Sequence, residues 1–413
     1  MGVPQSYGAA IVARIDELAR LSSERGNLTR LYLSAAHDHA AHRVMTWMEN
    51  AGMTARIDAI GNVAGRYEAE APDAPALLIG SHIDTVRDAG RFDGNLGVVA
   101  GIEIVRRLHD AGTRLPIALE VVAFGDEEGV RFPTALGGSR ALAGIFDPAI
   151  LDEKDLAGVT RRQALIDFGC NPTAIKQEAR DPSTLLGYIE MHIEQGPVLE
   201  AERLPVGVVT AINGVTRGTV TIMGRSAHAG TVPMGLRHDA LAAAAEMILS
   251  IERQAKGVPD LVATVGRLDV ANGAVNTVPG RVSFTLDIRS PADVARKAAV
   301  AETVHQIAAI AAVRHVEASV HLPYDAPATV SDPELSKRLA TAISGLGLSV
   351  RNLPSGAGHD AMAFRGIVPV AMLFVRCRGG VSHNPAEFAS EADIDVAAQV
   401  LERFVVGLSS QTK

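Results

Sequence analysis

The chain has 413 residues, more than one compact core usually holds, and this length predicts two domains. Hydrophobic residues make up 47% and charged residues 21% of the sequence, proportions that exclude an intrinsically disordered protein. The formal net charge is −8 and no block rich in lysine and arginine occurs, so the composition argues against a protein that binds nucleic acid.

The beginning of the chain, residues 1–26, reads as an amphipathic helix and lacks the basic-then-apolar order of a signal peptide. No run of about 18 apolar residues follows it, and we therefore expect a cytoplasmic protein without a membrane partner. Cys170 and Cys377 are too few for a disulfide framework and are read as buried free thiols.

The first part of the chain alternates between strand and helix patterns. Apolar runs over residues 76–80 and 115–124 flank a helical pattern over residues 95–112. This alternation is typical of a layered α/β domain.

The pattern changes between residues 212 and 327, where long alternating strands accompany helices near 236–255 and 292–312. The order strand–helix–strand–strand–helix–strand predicts a ferredoxin-like α+β fold. The α/β pattern then returns, with helices near 332–345 and 391–408 and strands near 347–352 and 367–375. We therefore expect residues 212–327 to be inserted into a catalytic domain formed by residues 1–211 and 328–413.

The motif GSHIDTV places His82 and Asp84 at the end of an apolar strand, where ligand sites of α/β sheets lie. Asp84 can accept a hydrogen bond from one nitrogen of His82 and leave the other nitrogen for a metal. A structural histidine is the alternative. In RFDGNLGVVAG, Asp93 precedes a helix, where it either caps the helix or bridges two cations.

The motif VVAFGDEEGVRF ends an apolar strand in three consecutive carboxylates, Asp126, Glu127 and Glu128. Such crowding disfavours ionisation unless a cation is bound. Since adjacent side chains point in different directions, Glu128 can bind a metal while Glu127 moves protons. A solvated acidic loop is the alternative.

Two further histidines, His192 in GYIEMHIEQG and His383 in GGVSHNPAE, follow predicted strands. With His82, Asp93 and Glu128 they complete a set of three imidazoles and two carboxylates. Such a mixed set suits zinc, manganese, cobalt or nickel and argues against calcium.

Nine ordered motifs over residues 12–408 together resemble the amidase, hydantoinase/carbamoylase family, which belongs to the dinuclear metallopeptidases and aminoacylases. They are GSHIDTV, GRFDGNLGVVAG, DEEGVRF, HIEQGPVLE, GRSAHAGTVPM, NTVPG, DIRS, SGAGHDAM and GGVSHNPAE.

The resemblance implies two divalent metal ions. Asp93 becomes the carboxylate between them, His82 and His192 bind one ion, and Glu128 and His383 bind the other. Glu127 becomes the general base that takes a proton from the attacking water and returns it to the leaving nitrogen. Peptidases of the superfamily usually have a carboxylate where this chain has His192, so the resemblance favours a carbamoylase.

The resemblance also implies residues that act on the substrate. His228 would stabilise the oxyanion, with a turn histidine as the alternative reading. The expected substrate-binding residues are Gln195, Asn276, Arg289, Gly358 and His359, the last without an assigned role. Arg289 shares a strand face with Asp287 and can hold a carboxylate through two hydrogen bonds, unless it only forms a surface ion pair.

The leading hypothesis is an N-carbamoyl-L-amino-acid hydrolase that releases ammonia, carbon dioxide and an amino acid. Allantoate amidohydrolase is the nearest alternative, and β-ureidopropionase, an N-acyl amino acid hydrolase, a dipeptidase and a non-catalytic binding protein follow. Residues 212–327 are expected to form a lid and to pair two copies into a homodimer. The histidines His37, His39 and His42 are read as a solvated helix face and not as a second metal site.

Overall fold

The computed structural model describes residues 6–409, which form two compact units. The first unit extends to Thr210 and also contains Val330–Leu353 and the chain from Ala357 onward. The second unit consists of Ala211–Thr329 and Pro354–Gly356, and the expected inserted domain, residues 212–327, falls within it. The ends of the expected catalytic domain, residues 1–5 and 410–413, lie outside the described residues.

Helices and strands are numbered along the chain. The first part of the first unit contains α1 (Tyr7–Ala19), α2 (Ala35–Asn50), β1 (Thr54–Ile57), β2 (Val63–Tyr67), β3 (Ala76–His82), α3 (Asn95–Asp110), β4 (Ala118–Phe124), α4 (Gly137–Leu142), α5 (Arg161–Asp167), β5 (Leu185–Ile193), α6 (Val198–Glu202) and β6 (Val206–Ile212). The next elements are β7 (Gly214–Met223), β8 (Ala227–His228), α7 (Ala240–Lys256), β9 (Val262–Thr264), β10 (Leu268–Val270), β11 (Thr277–Val278), β12 (Arg281–Ser290), α8 (Asp293–Val313) and β13 (Glu317–Ala326). The chain ends with β14 (Thr329–Val330), α9 (Pro333–Ser344), β15 (Asn352–Ser355), β16 (Val370–Val375) and α10 (Glu391–Ser409).

A nine-stranded sheet forms the centre of the first unit, with the order β1-β2-β4-β3-β5-β16-β6-β14 and with β15 paired to β6. Strand β3 runs parallel to β4 and β5, and β5 runs parallel to β16. Every residue of β3 and β4 is buried, as expected of strands covered on both faces. Because β4, β3 and β5 are parallel neighbours, their carboxyl ends meet at one edge of the sheet.

The second unit has an antiparallel sheet with the order β10-β12-β7-β13, in which β9 also pairs with β12. Along β12 the apolar residues Phe284, Leu286 and Ile288 are buried, and α7 and α8 contribute to the same apolar cluster. The prediction of an α/β unit together with a ferredoxin-like α+β unit is confirmed.

Some local predictions differ from the structure. Helix α1 ends at Ala19, well before residue 26. The strand expected near residues 347–352 begins only at Asn352, because Leu346 and Leu348 pack against the core without sheet pairing. Both cysteines are free, but only Cys377 is buried and Cys170 is half-buried.

The interpretation of His37 as a solvated helix residue is wrong. His37 is fully buried, its ring lies 5.2 Å from the ring of Phe168, and its Nδ1 accepts a hydrogen bond from Leu33 N at 3.3 Å. His39 and His42 on the same helix are exposed, as expected. Among the described helices, none is both long and apolar enough to cross a membrane.

Candidate metal centre

The predicted metal-ligating residues of the first unit come from segments at the same edge of the sheet. His82 is the last residue of β3, and His192 is the penultimate residue of β5. Glu127 and Glu128 follow β4 in the acidic loop, and Asp93 precedes α3. The shared direction of the three strands therefore brings together residues that are far apart in sequence.

Asp93 lies between two groups of side chains. Its Oδ1 is 3.3 Å from His82 Nε2 and 3.0 Å from His192 Nε2. Its Oδ2 is 3.3 Å from His383 Nε2, which in turn lies 3.6 Å from Glu128 Oε2. The two oxygens of Asp93 thus face separate sets of side chains, His82 and His192 on one side and His383 with Glu128 on the other.

The turn that carries Asp93 requires glycine at its next position. Gly94 has a φ of +64°, and a Cβ on this residue would lie 2.5 Å from His82 Cε1. The close approach of the turn to the His82 ring is therefore possible only without a side chain.

Backbone carbonyls fix the orientation of both buried imidazoles. His82 Nδ1 lies 2.9 Å from Asp84 O, and His192 Nδ1 lies 2.9 Å from Ile193 O. A proton on each Nδ1 satisfies these carbonyls, and Nε2 of both rings faces Asp93. The expected acceptor for His82, the Asp84 carboxylate, is 3.8 Å away, so the backbone oxygen of Asp84 takes that role instead.

The Asp84 carboxylate holds the acidic loop. Its two oxygens accept hydrogen bonds from Glu127 N at 3.1 Å and Glu128 N at 3.2 Å. The first acid of the loop, Asp126, has a φ of +70° and forms a fully buried ion pair with Arg161. Asp126 is thereby directed to Arg161, while Glu127 and Glu128 form a group with His82 whose ligand atoms lie within 4.8 Å of one another.

Burial and neighbouring charges shift the pKa values of these groups strongly. Burial raises the pKa of Glu127 well above its usual range, with His82 opposing and Glu128 adding to the shift. Burial, followed by the charge of Asp93, raises the pKa of Glu128 to about 7. Burial alone would raise the pKa of Asp93, but hydrogen bonds with His192, His383 and His82 outweigh it and hold this pKa well below its usual range.

The donors fit divalent metal ions. The ligand atoms of His82, Asp93 and His192 lie within 4.8 Å of one another, and so do those of Asp93, Glu128 and His383. Imidazole and carboxylate donors with no thiolate match borderline ions such as zinc, manganese, cobalt and nickel. Clustered acids with raised pKa values are also the environment that a cation would relieve.

Three predicted substrate-binding residues of the first unit also lie at this centre. Gln195 Nε2 donates to Asp93 Oδ2 at 2.9 Å, while its buried Oε1 accepts no hydrogen bond from any residue in 6–409. A Cβ on Gly358 would lie 4.0 Å from Glu127 Oε1. His359 is buried, with its ring centre 4.6 Å from that of His192 in an edge-to-face arrangement.

The remaining predicted residues, His228, Asn276 and Arg289, belong to the second unit. His228 is exposed at the end of β8, and Ala229 N donates to Asn276 O at 2.9 Å, so these two segments are neighbours. Arg289 lies on β12, where its Nε and Nη2 donate to the Asp287 carboxylate at 2.7 and 2.9 Å. Its Nη1 donates to Gly356 O at 2.6 Å.

Arg289 lines a cavity of about 660 Å³ within the second unit. Arg217 and Tyr324 also line this cavity, and Arg217 Nε donates to the same Asp287 carboxylate at 2.8 Å. Asp287 therefore orients two guanidinium groups beside one cavity.

Sequence reasoning did not identify several residues that support the metal centre. Arg30 is fully buried and donates to Ile83 O at 2.6 Å and to Asn95 Oδ1 at 2.6 Å. Ser382 and Glu387 flank His383 and contact Asp93, and they lay within the quoted motif GGVSHNPAE. Their positions on either side of His383, a candidate metal ligand, could have predicted that these two polar residues lie near the metal centre.

Several known proteins are similar to this chain. The model of peptidase family M20/M25/M40 matches residues 78–406. The chain is 40% identical to allantoate deiminase 2 of Glycine max, over 98% of this chain and 90% of that protein. It is also 40% identical to the N-carbamoyl-L-amino acid amidohydrolase of Geobacillus stearothermophilus, over 95% of this chain and 97% of that protein.

The fold is shared with a solved amidase of the hydantoinase/carbamoylase family from Burkholderia multivorans. The TM-score is 0.93 and the sequence identity 33%, over 98% of this chain and 99% of the other.

Proposed function

The chain belongs to peptidase family M20/M25/M40 and, within it, to the hydantoinase/carbamoylase amidases, and from this premise we propose that it hydrolyses N-carbamoyl-L-amino acids. The reaction cleaves the carbamoyl C–N bond and releases the amino acid, ammonia and carbon dioxide. The arrangement of Asp93 between two sets of donors, with the buried acid Glu127 beside them, is the observation that carries the proposal.

In this proposal His82 and His192 hold one divalent ion, Glu128 and His383 hold the second, and Asp93 contacts both. When bound, such ions polarise a substrate carbonyl and lower the pKa of water from about 15.7 to around 7. The 3.3 Å and 3.0 Å separations between Asp93 Oδ1 and the two histidines support this division of ligands.

Glu127 is the proposed general base and acid. Its carboxylate is buried, and burial raises its pKa well above the usual range, which strengthens it as a proton acceptor. A group of this kind takes a proton from the attacking water at one carboxylate oxygen and returns it to the leaving nitrogen. The two Asp84 hydrogen bonds to the backbone of the acidic loop keep Glu127 in place.

Arg289 is the proposed anchor for the substrate carboxylate. A guanidinium has five N–H donors, and three hydrogen bonds of Arg289 go to Asp287 and Gly356. The remaining donors are available for a carboxylate in the adjoining cavity. Because Asp287 holds the guanidinium through two hydrogen bonds, the substrate meets a group that is already oriented.

Three further residues complete the proposed site. His228 stabilises the oxyanion, in keeping with its exposed ring, and the adjacent Asn276 contacts the substrate. Gln195, whose buried Oε1 has no hydrogen-bond partner within residues 6–409, is the proposed contact for the ureido group.

Allantoate is the second candidate substrate. The specific observation in its favour is the equal 40% identity to an allantoate deiminase and to an N-carbamoyl-L-amino acid amidohydrolase. Allantoate also carries a carboxylate and a ureido group, and it presents a second ureido group. Arg217 and Asn213 also line the cavity beside Arg289, and their side chains are polar contacts that suit such a group.

The experiment that tests the proposal is ammonia release by the manganese-loaded protein. Parallel reactions contain N-carbamoyl-L-amino acids, allantoate and N-carbamoyl-β-alanine, and a chelator-treated sample is the control. We expect chelator-sensitive release from the N-carbamoyl-L-amino acids. Release from allantoate alone would replace the leading substrate by the second candidate, and no release from any of these compounds would direct the search to N-acyl amino acids and dipeptides.

We also propose that residues 212–327 pair two copies of the chain. Of the seventeen exposed large hydrophobic side chains within residues 6–409, eleven belong to the second unit, which is under a third of the chain. They include Leu249, Val294 and Val313 on α7 and α8. Sedimentation equilibrium tests this: a monomer at micromolar concentration would contradict the proposal.

A further inference from the structure

The Asp93 carboxylate has hydrogen-bond donors besides the three histidines. Gln195 Nε2 lies 2.9 Å and Ser382 Oγ lies 3.1 Å from Asp93 Oδ2. Gln195 Nε2 also donates to Ser382 Oγ at 3.0 Å. The carboxylate is therefore held on the Oδ2 side by a connected pair of polar side chains.

Glu387 joins this network from the other side of Ser382. Its Oε1 accepts hydrogen bonds from Phe92 N at 2.8 Å and Asp93 N at 3.0 Å, and its Oε2 lies 2.9 Å from Ser382 Oγ. The single hydroxyl proton of Ser382 is shared between Glu387 Oε2 and Asp93 Oδ2. A single carboxylate thus holds both the backbone of the Asp93 turn and, through Ser382, the Asp93 side chain.

The Glu387 carboxylate is buried in close contact with the backbone of Gly90. Glu387 is 4% exposed, and a Cβ on Gly90 would lie 2.2 Å from its Cδ. Only glycine at residue 90 leaves room for this side chain. Glu387 is also 294 positions from Asp93 in the chain, so the contact links the loop of His383 to the turn before α3.

We propose that Glu387 and Ser382 are positioning residues that hold the Asp93 carboxylate with Oδ1 toward His82 and His192 and Oδ2 toward His383. This inference rests on the metal centre proposed above. A carboxylate between two ions must keep its torsion angle, because rotation would take Oδ1 away from His82 and His192. The Ser382 hydroxyl beside Asp93 Oδ2 opposes such rotation of the side chain. The hydrogen bond that Asp93 N donates to Glu387 Oε1 fixes the backbone from which the side chain extends.

The test uses cobalt(II) as the probe, with the apparent Kd and the visible absorption of the loaded full-length protein as readouts. Partners of metal ligands typically change metal affinity by about 10–100-fold. We therefore expect Glu387→Gln and Ser382→Ala to raise the Kd for cobalt by about tenfold or more and to change the absorption bands. Ser382→Thr retains the hydroxyl and is expected to restore both.

Glu178→Gln is the matched control. Glu178 is 7% exposed and accepts a hydrogen bond from Ala59 N at 3.0 Å, but it contacts none of the metal-ligating residues. Glu178 also pairs with Arg56, so its variant loses a buried carboxylate at least as costly to replace as that of Glu387, and it should leave cobalt binding unchanged.

The outcomes are distinct. Cobalt binding and absorption equal to wild type in both Glu387→Gln and Ser382→Ala would overturn the positioning role, even if the protein hydrolyses carbamoyl substrates. A wild-type protein that binds no cobalt would overturn the metal centre itself. If Glu387→Gln does not fold, as judged by circular dichroism, Ser382→Ala decides the question.

Discussion

Replacement of His37 by asparagine is expected to reduce the acid sensitivity of the first unit. His37 is fully buried, and burial, with the charges of Arg30 and Arg131, lowers its pKa from 6.5 to about 3. Its Nδ1 accepts a hydrogen bond from Leu33 N, and asparagine retains an acceptor there while losing the titration.

The sign and size of the effect follow from linkage between protonation and folding. The unfolded chain takes up a proton on His37 as the pH falls below 6.5, whereas the folded chain does so only near pH 3. Stability is therefore fully present above pH 6.5 and is lost as the pH falls toward 3. Between pH 7.5 and pH 5 the loss from this residue is about 2 kcal/mol, at about 1.36 kcal/mol per pH unit below 6.5.

The assay is urea unfolding of the metal-free protein followed by fluorescence. Trp47 is the single tryptophan of the chain and lies on α2, the helix that carries His37, so the signal reports on the first unit. His39→Asn, an exposed change on the same helix, is the control and should keep the wild-type dependence on pH. Equal pH dependence in wild type and His37→Asn would refute the reasoning, whatever the stability of the variant at pH 7.5.

Three other changes have defined outcomes. Glu127→Gln should lower kcat by about 100-fold or more while metal content and substrate binding remain, because the proton carrier alone is lost; steady-state kinetics and metal analysis measure this. Arg289→Ala should raise KM much more than it lowers kcat, because a binding contact is lost. Arg161→Met should lower the free energy of unfolding by about 3–5 kcal/mol in the same urea assay, because Asp126 remains buried without its cation.

For each of these predictions there is an outcome that would contradict it, and two of them have a control variant. A fully active Glu127→Gln enzyme would refute the assigned base. Arg314→Ala removes an exposed arginine paired with Glu246 and should leave KM unchanged, so an equal KM in Arg289→Ala would exclude the anchor. Arg162→Met removes the exposed neighbour of Arg161, and a similar loss of stability in both variants would show that the buried ion pair is not the cause.

The architecture and the grouping of the metal-ligating residues could be predicted because both depend on strand order. Each motif follows or ends a recognisable apolar strand, and parallel strands bring their carboxyl ends to one edge. This rule places His82, Glu128 and His192 together without knowledge of any contact.

The burial of His37 was also readable from the sequence. Its position is four residues before Ala41 and seven before Val44, so it continues the apolar stripe of α2. Histidine is a polar residue, and the interpretation of His37 as solvated followed from that property and not from the spacing. In the structure the His37 ring packs against the aromatic rings of Tyr32 and Phe168.

Other features depend on contacts that no local pattern predicts. Glu387 holds a turn 294 positions away, and Arg161 pairs with Asp126 across 35 positions. In both cases the partner is determined by how loops meet after the sheet has formed. Sequence spacing alone carries no information about such pairs.

The strand order also has a consequence for synthesis of the chain. Strand β5 ends at Ile193, but its neighbour β16 begins only at Val370, and the two pair with His192 opposite Phe374. At about 5–20 residues per second, a ribosome needs roughly 9–35 s to make the intervening chain. During this time one edge of β5 lacks its final partner, and His383 has not yet been made. A nascent chain therefore cannot assemble the complete proposed metal centre until residue 383 has been made, and a chain truncated before residue 370 would expose an edge strand prone to aggregation.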